Sequence, residues 1–467
     1  MTCLPNGWMT WTIADLGGMT GGKTPSKAVE SFWSGGAVPW VSPKDMKVFD
    51  LKATEDTITD EAVSGAGMAL LPPETVLMVT RSGILAHSFP VAIAKTQVTI
   101  NQDIKAVKPS PGRFLPRYLA YNLRAQGQTI LSTCAKAGTT VASVDSGSLE
   151  RYPFPFAPLP EQKRIADKLD TILARVDACR GRLDRASDKL RLFRKSVLHA
   201  AVSGQLSTSC GGDGKHTWTK ARAADVCAKV QSGGTPKSGF VGESGIPFLK
   251  VYNIVDQQVA FDYRPQFVTA EVNRGPLAKS VTLPGDVLMN IVGPPLGKVA
   301  VVPYEYDEWN INQAITLFRP SEKITTGWLY ILLCHGENIR DIVNETKGSA
   351  GQVNISLSQC RDFLFPVPSI DEQNKIVRKV GELFSLADEI EKRLVTAEKS
   401  VERLTPALLA KAFRGELVPQ DPTDEPASEL LKRLAKGRLA TGVAAKSSCV
   451  RKASRAAQDE VEGSVSE

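Results

Sequence analysis

The sequence predicts an α+β fold, in which two mixed, mainly β domains are separated by two long antiparallel coiled-coil helices and related by an internal pseudo-twofold repeat. Three observations predict this fold. The chain matches itself at a constant offset of 211 residues, as from Ile100 to Ile311. Each copy begins with short β-rich runs between turn residues, and each copy ends with a long heptad pattern.

The repeat consists of short identical segments in one register. The pairs are "VLM" at Val76–Met78 and Val287–Met289, "INQ" at Ile100–Gln102 and Ile311–Gln313, and "FP" at Phe154–Pro155 and Phe365–Pro366. The block Glu161–Leu206 then aligns without a gap with Glu372–Leu417. A duplication with these parts predicts five segments: a first β domain at residues 1–158, a first helical region at 159–206, a second β domain at 207–369, a second helical region at 370–417 and a C-terminal segment at 418–467.

The first part of each copy is rich in strand-forming residues. The runs are "ETVLMVT" and "AIAKTQVTI" in the first copy and "GDVLMNIV", "KVAVVPY" and "AITLFRP" in the second. Gly, Pro, Asp and Asn separate them, which is typical of short strands joined by turns. Glycine-containing loops, "RSGIL" and "GPPLGK", follow the central runs. These loops are expected to present polar and basic groups outward.

The second part of each copy carries heptads, with apolar residues in alternating steps of four and three. Sustained a/d spacing with charged residues between predicts a coiled coil. The first helix is basic, with 11 Lys and Arg against 6 Asp and Glu from Glu161 to Leu206, whereas the second is neutral. The predicted seam residues are Ile165, Leu169, Ile172, Val176, Leu183 and Leu190 in the first helix and Ile376, Val380, Leu383, Ile390, Leu394 and Val401 in the second.

The ends of both helices have sequence signals. Ser369 and Glu372 have the spacing of a capping box, and Pro160 suits a first helical turn. Gly204 and Gly415 are expected to end the helices. The two apolar stripes need partners, and the simplest arrangement pairs them antiparallel along about 65 Å. Such a pairing would present two similar surfaces in inverted orientation, which suits a bipartite site on duplex DNA.

Pro406 distinguishes the second helix from the first. Proline removes a backbone N–H donor and clashes with the preceding helical turn. The sequence therefore predicts a break or kink near Leu404, with Thr405 capping a short continuation.

Composition excludes several classes of protein. The chain is 42% hydrophobic with a net charge of +7, and no apolar run approaches the length of a membrane span. The eight cysteines lack C-x-x-C pairs, and no histidine is spaced with another ligand for a metal. We therefore expect a cytoplasmic protein with no membrane segment, no metal site, no catalytic constellation and no cofactor of its own.

The stretch "LGGMTGGKTP", from Leu16 to Pro25, matches the phosphate-loop pattern G-x-x-x-x-G-K-[ST]. Its context is poor, because Pro25 lies where the required helix should continue. The second copy also has Gly234 where the first has Lys23, so the group that would reach a phosphate is missing. The shared Gly-x-Thr-Pro is interpreted as a turn. A nucleotide hydrolase acting through Lys23 remains a rival hypothesis.

These features resemble the DNA-specificity (S) subunit of type I restriction-modification systems. The resemblance runs from the "GGKTP" turn through the two "EQ" helix starts and the helix ends "AAVSGQL" and "KAFRGEL" to "LVPQDPTDEPASELL". It implies that the β domains are target-recognition domains, each reading one half of a split DNA sequence. It also implies that the helices set the distance between the halves and dock methyltransferase subunits.

The resemblance further implies partners. One S subunit combines with two modification subunits, which use S-adenosylmethionine, and with restriction subunits, which use ATP. Those cofactors belong to the partners, and the chain itself has no N/D-P-P-[YF] methyltransferase motif. A coiled-coil scaffold with β-rich protein-binding domains is the alternative from another class.

Base readout favours exposed donors and acceptors on loops that differ between the copies. For each candidate, a solvated or fold-supporting role stays open. Asn101-Gln102 and Asn312-Gln313 are the same in both copies, so they are expected to build turns. The "DEPASELLKRLA" segment, with Ser428 as a cap, is expected to form a helix beside the N-terminus, and the tail after Ala435 is expected to be disordered. The predicted DNA-binding residues are Lys44, Arg81, Ser82, Lys250, Tyr252, Asn253 and Lys298.

Overall fold

The computed structural model of the protein describes residues 4–136, 141–207, 218–242, 244–345 and 354–433. It divides into two structural units: Met1–Gly181 with Glu398–Glu467, and Arg182–Ala397. Each unit therefore contains one β-rich domain and part of each long helix. The tail after Ala435, predicted to be disordered, lies outside the described residues.

The first domain is built on a five-stranded sheet, a three-stranded sheet and a strand pair. Its strands are β1 (Met9–Trp11), β2 (Thr20–Gly21), β3 (Val38–Val41), β4 (Asp50–Leu51), β5 (Asp56–Ile58), β6 (Val76–Val79), β7 (Val91–Ala94), β8 (Thr99–Ile100), β9 (Ile104–Val107) and β10 (Phe154–Phe156). Its helices are α1 (Ile13–Leu16), α2 (Asp60–Gly65), α3 (Pro116–Ala125), α4 (Gly127–Thr133) and α5 (Ser146–Glu150), and the long helix α6 (Leu159–Val202) follows. The sheet orders are β2-β9-β6-β7-β4, β5-β3-β8 and β1-β10.

The second domain has the same plan. Its strands are β11 (Thr219–Arg222), β12 (Lys229–Ser232), β13 (Phe240–Val241), β14 (Ile246–Leu249), β15 (Ile254–Val255), β16 (Gln258–Val259), β17 (Phe267–Val268), β18 (Val287–Asn290), β19 (Val299–Val301), β20 (Asn310–Ile311), β21 (Ile315–Arg319) and β22 (Leu364–Val367). Its helices are α7 (Ala223–Val226), α8 (Ala270–Arg274), α9 (Thr326–His335), α10 (Glu337–Glu345) and α11 (Leu357–Asp362), before the long helix α12 (Ile370–Phe413). The sheet orders are β12-β21-β18-β19, β13-β17-β14-β20, β15-β16 and β11-β22.

The topology confirms the duplication. The order β2-β9-β6-β7 recurs as β12-β21-β18-β19. In the second sheets, β3 pairs antiparallel with β5 and parallel with β8, and β14 pairs in the same way with β17 and β20. Strand β6 pairs antiparallel on both edges and is buried at every position, which explains its continuous apolar run.

The turn that resembles a phosphate loop packs directly against the "INQ" segment. A Cβ atom on Gly22 would lie 2.1 Å from the Ile100 carbonyl oxygen, and one on Gly233 would lie 2.1 Å from that of Ile311. Glycine is therefore required for close backbone approach, not for positive φ. Residues 22–26 form no helix, so this segment lacks the helix N-terminus that a phosphate loop needs.

The two long helices are antiparallel. In the first unit, the start of α6, with Ile165 and Leu169, shares one apolar core with the end of α12, with Leu409 and Phe413. In the second unit, the end of α6 shares a core with the start of α12. Each helix is 44 residues long, or about 66 Å.

Most of the predicted seam residues of the two long helices are buried or partly buried. Ile390 is the exception, because its side chain is 42% exposed. The reason is the face that α12 turns to α6: Arg194 pairs with Asp388 at 2.6 Å and with Glu391 at 2.8 Å, so Ile390 lies beside that face. Of the other predicted seam residues, Ile165, Leu169, Val176, Leu190, Ile376 and Val380 are buried, and Ile172, Leu183, Leu383, Leu394 and Val401 are partly buried.

The predicted break at Pro406 is wrong. Helix α12 runs without interruption from Ile370 to Phe413 with Pro406 inside it. Pro406 and Glu402, one turn earlier, are both exposed, so water can solvate the carbonyl that loses its partner. The predicted stops are confirmed, since Gly204 and Gly415 follow the helices with φ of 82° and 76°.

The segment after α12 returns to the N-terminus within the first unit, as expected. The Ala427 N–H donates to the Gly7 carbonyl at 2.9 Å, and residues 427–433 are helical. Arg164 of α6 pairs with Asp424 at 2.6 Å. Ala427 and Leu430 are buried in the core of the first domain.

Candidate nucleic-acid interface

The first domain is held on α6 by the side chains of the first "EQ" pair. The Trp8 indole N–H donates to Glu161 Oε2 at 2.9 Å. Gln162 Nε2 donates to the Ala157 carbonyl at 2.9 Å, and Gln162 Oε1 accepts from the Leu115 N–H at 2.9 Å. One glutamine thus joins the start of α6 to the start of α3.

The second "EQ" pair does the same in the second domain. The Trp218 indole N–H donates to Glu372 Oε2 at 3.2 Å. Gln373 Nε2 donates to the Pro368 carbonyl at 3.0 Å, and Gln373 Oε1 accepts from the Thr325 N–H at 2.8 Å. The Glu372 carboxylate therefore does not complete the predicted capping box, although Ser369 Oγ accepts from the Glu372 N–H at 3.4 Å. Neither tryptophan was among the residues predicted from the sequence, although each lies just before the first strand of its copy, β1 or β11, which was the available signal.

Glu161 is an unusual buried carboxylate. Its residue is 1% exposed, and Oε1 has no hydrogen-bond partner among the residues that the structure describes. Burial raises the pKa of Glu161, and the hydrogen bond from Trp8 and the charge of Arg164 oppose that rise. Because Glu161 holds Trp8, the attachment of the first domain to α6 depends on whether the Glu161 carboxyl group is protonated.

Each domain has a 3-10 turn directly after the corresponding strand of its second sheet. The turn is Pro43–Asp45 after β3 and Val251–Asn253 after β14. In the first turn Asp45 Oδ2 accepts from the Ser42 N–H at 2.8 Å, and in the second Asn253 Oδ1 accepts from the Lys250 N–H at 3.0 Å. The structure thus places the predicted Lys44 and Tyr252 in equivalent turns.

The positive charge of Lys44 is neutralised by two neighbouring carboxylates. Its ammonium lies 3.1 Å from Glu55 and 2.9 Å from Asp56. The hydrogen bonds to Asp56 and Glu55 raise the pKa of Lys44. A phosphate or base would have to compete with two carboxylates for this ammonium.

Arg81 and Ser82 lie together where β6 ends. The Arg81 side chain is 64% exposed, and its Nε is 3.7 Å from Asp103 Oδ1. Ser82 precedes the 3-10 helix Gly83–Ala86, and its hydroxyl accepts from the Ile84 N–H at 3.4 Å. Arg81 therefore presents donors outward beside a structured turn.

Asn253 and Tyr252 hold a loop of the second domain. Asn253 is 1% exposed, and its amide donates to the carbonyls of Ala260 at 3.3 Å and Tyr263 at 2.9 Å. The Tyr252 hydroxyl donates to the Arg264 carbonyl at 3.4 Å. These bonds commit the buried Asn253 amide to holding the loop.

Lys250 and Lys298 flank this loop system. Lys250 Nζ lies 5.5 Å from the centre of the Phe240 ring. Lys298 lines a groove of about 420 Å³ with the β15–β16 turn at Asp256 and Gln257. The side chain of Lys298 forms no ion pair with any residue in the described ranges. The four candidates of the second domain thus belong to neighbouring loops. In the described part of the first domain, the ion pairs of Lys44 and of Arg81 are with different carboxylates and do not join the two residues.

The described residues contain neither a cluster of metal ligands nor a membrane-spanning helix. No group of three or more His, Cys, Asp or Glu side chains there is arranged to hold a metal ion. No helix among them has the length and apolarity to cross a membrane.

Comparison with known proteins identifies the family. The sequence profile described as "Type I restriction modification DNA specificity domain" matches residues 5–185 and again residues 215–397. These two stretches correspond to the two copies of the repeat.

Individual relatives agree with this match. The type I restriction enzyme EcoBI specificity subunit of Escherichia coli is 28% identical over 370 residues, which cover 73% of this chain and 76% of that protein. The StySPI specificity subunit of Salmonella potsdam is 30% identical over 347 residues, or 71% of this chain and 74% of that protein. A solved chain from work on complex assembly and conformational transition of the type I R-M system has the same fold, with a TM-score of 0.70 at 20% identity over 89% of this chain and 100% of its own. The protein therefore belongs to the type I restriction-modification DNA-specificity family, and its role is that of the DNA sequence-specificity subunit.

Proposed function

We propose that each β domain reads one half of a bipartite sequence in duplex DNA, and that α6 and α12 set the number of unspecified base pairs between the halves. The observation that carries this proposal is the repeated attachment of each domain to the start of its helix. A domain held by Trp–Glu and Gln contacts cannot rotate freely on the helix. Its loops therefore keep one orientation relative to the helix axis, which base readout requires.

Arg81 is the strongest candidate reader in the first domain. Arginine can donate two hydrogen bonds to guanine O6 and N7 in the major groove, and Arg81 is largely exposed. Ser82 adjoins it, and Lys44 reaches DNA only by leaving its carboxylates. In the second domain, Lys250, Tyr252 and Lys298 surround a loop that Asn253 positions.

The long helices also suit the docking of partner subunits. Large apolar side chains are exposed on the halves of α6 and α12 in the second unit, and such a surface is typical of a protein interface. We propose that two methyltransferase subunits, which use S-adenosylmethionine, and restriction subunits, which use ATP, assemble on this chain. The chain itself supplies specificity, and the partners supply catalysis. The exposed apolar residues are Leu192, Phe193, Leu386, Ile390 and Val395.

The spacing role is tested by inserting one heptad into each helix, after Gly181 in α6 and after Ala397 in α12. Seven residues add about 10 Å of helix, or about three base pairs at 3.4 Å each. Methylome sequencing of cells that carry the assembled complex should show a bipartite motif whose gap lengthens while both halves stay the same.

The control inserts the same seven residues after Gly112, at an exposed turn of the first domain with φ of 76°. This variant should methylate the original motif. An unchanged gap after the helical insertions would contradict the spacing role. If a gel-shift assay with the modification subunits present detected no sequence-specific DNA binding, a coiled-coil scaffold with protein-binding domains would explain the chain better.

A further inference from the structure

The two domains share a turn but hold different loops with it. In the first domain, Asp45 Oδ1 accepts from the Glu55 N–H at 2.9 Å, so the turn holds an acidic segment. In the second, the Asn253 amide donates to the carbonyls of Ala260 and Tyr263. Residues that discriminate different half-sites must differ between the domains, whereas the turn itself is common to both. The held loop is therefore where a difference in recognition can arise.

The two loops differ in the charge that they expose: the first carries carboxylates, and the second carries a guanidinium beside an aromatic ring. In the first domain, the carboxylates of Glu55 and Asp56 close on Lys44 and leave a compensated cluster. In the second domain, Tyr263 is 53% exposed, and the guanidinium of Arg264 lies 5.2 Å from the centre of its ring. The pair forms an exposed aromatic–cation surface.

The backbone of Arg264 is held by hydrogen bonds, whereas its side chain is exposed and contacts the Tyr263 ring. Its φ of 57° is in the left-handed region, which non-glycine residues seldom adopt. The Tyr252 hydroxyl donates to its carbonyl, and Asn253 anchors the carbonyl of the preceding residue. The exposed guanidinium forms no ion pair with any described residue. Its five donors are thus available to a partner outside the chain.

We propose that Tyr263 and Arg264 contact base pairs in the half of the target that the second domain reads. This inference rests on the proposed function. A guanidinium can donate two parallel hydrogen bonds to guanine O6 and N7, and the aromatic ring beside it offers apolar contact to a neighbouring base or methyl group. Tyr252 and Asn253 then act as positioning residues, which shape the loop without touching bases.

The test compares Arg264→Gln with Arg274→Gln in the full chain assembled with its modification subunits. Arg274 is a matched control, because it is exposed in the same domain and also forms no ion pair among the described residues. The probes are the duplex that contains the motif found by methylome sequencing and duplexes with single base-pair changes in each half. Competition binding gives the preference for the motif over each changed duplex.

Arg264→Gln should reduce the preference at one guanine-containing position of one half at least tenfold and leave the other half unaffected. Arg274→Gln should retain all preferences. Arg264→Lys keeps the charge but loses the planar fork of donors, so it should reduce the same preference less than Arg264→Gln does while binding unrelated duplex as wild type does. Tyr263→Ala should weaken discrimination in the same half.

Equal effects of the two glutamine variants, or a loss at Arg264 spread evenly over all duplexes, would overturn the inference. A wild-type complex without any sequence preference would instead overturn the proposed function. The two failures are therefore distinguishable.

Discussion

At the residue scale, the repeated Glu-Gln pairs are the clearest link between sequence and structure. The sequence shows that Glu161-Gln162 recurs as Glu372-Gln373 at two helix starts. It does not show what the side chains bind, because the partners lie far along the chain: Trp8 is 153 residues from Glu161. Periodicity and turn chemistry are local signals, so contacts over this distance could not be predicted from them.

The DNA-binding residues show the same limit. Lys44 and Tyr252 were predicted from residue type, and the structure places them in equivalent turns. Asn253 is buried, unlike the exposed candidates. Tyr263 and Arg264, which lie in the loop that Asn253 holds, were not predicted. A polar residue in a loop has the same sequence signal whether it faces water or holds the loop from inside.

We predict that Glu161→Gln changes how stability depends on pH. The folded-state pKa of Glu161 is raised above its ordinary value of 4.5 by burial. The protonated form therefore stabilises the fold below about pH 4.5, and this contribution is lost as pH rises through the raised pKa. Glutamine cannot ionise and keeps an acceptor for Trp8, so the variant should gain stability relative to wild type as the pH rises toward 7.

Thermal unfolding at several pH values measures this difference. The control is Asp184→Asn, which removes an exposed carboxylate from the same helix and should follow the wild-type profile. Parallel profiles for Glu161→Gln and wild type would show that burial does not raise the pKa of Glu161.

At the element scale, the heptads predicted the two long helices and most of the seam, and Gly204 and Gly415 predicted where the helices end. The heptads did not predict that Ile390 is exposed. A heptad pattern shows which residues share one face of a helix, but it does not show whether another part of the protein covers each of them. They also did not predict that α12 continues through Pro406. That outcome depends on whether water reaches the freed carbonyl, which is a property of the packed structure.

We predict that two leucines of α6 differ sharply in their contribution to stability. Leu190 is 8% exposed and lies on the predicted seam, whereas Leu192 is 61% exposed. Leu190→Ala should lower the free energy of unfolding by about 2–5 kcal/mol, because it removes buried methyl groups and leaves a cavity. Leu192→Ala should change it by less than about 0.5 kcal/mol. Urea unfolding of the full chain measures both, and equal losses would contradict the seam.

At the scale of the whole molecule, duplication explains the organisation. Each copy supplies a β-rich domain, the Glu-Gln pair that attaches this domain to a helix, and the helix itself. Because the two helices are antiparallel, each unit contains part of both. The repeat and the family resemblance were visible in the sequence. The base contacts were not, because they belong to loops in which the two copies differ.

The most direct test of the account replaces residues 1–158 with the matching domain of a relative that has a different target. Methylome sequencing should then show a motif in which one half is replaced and the other half and the gap are unchanged. A motif in which both halves change, or a target without two separate halves, would contradict the claim that each domain reads its own half.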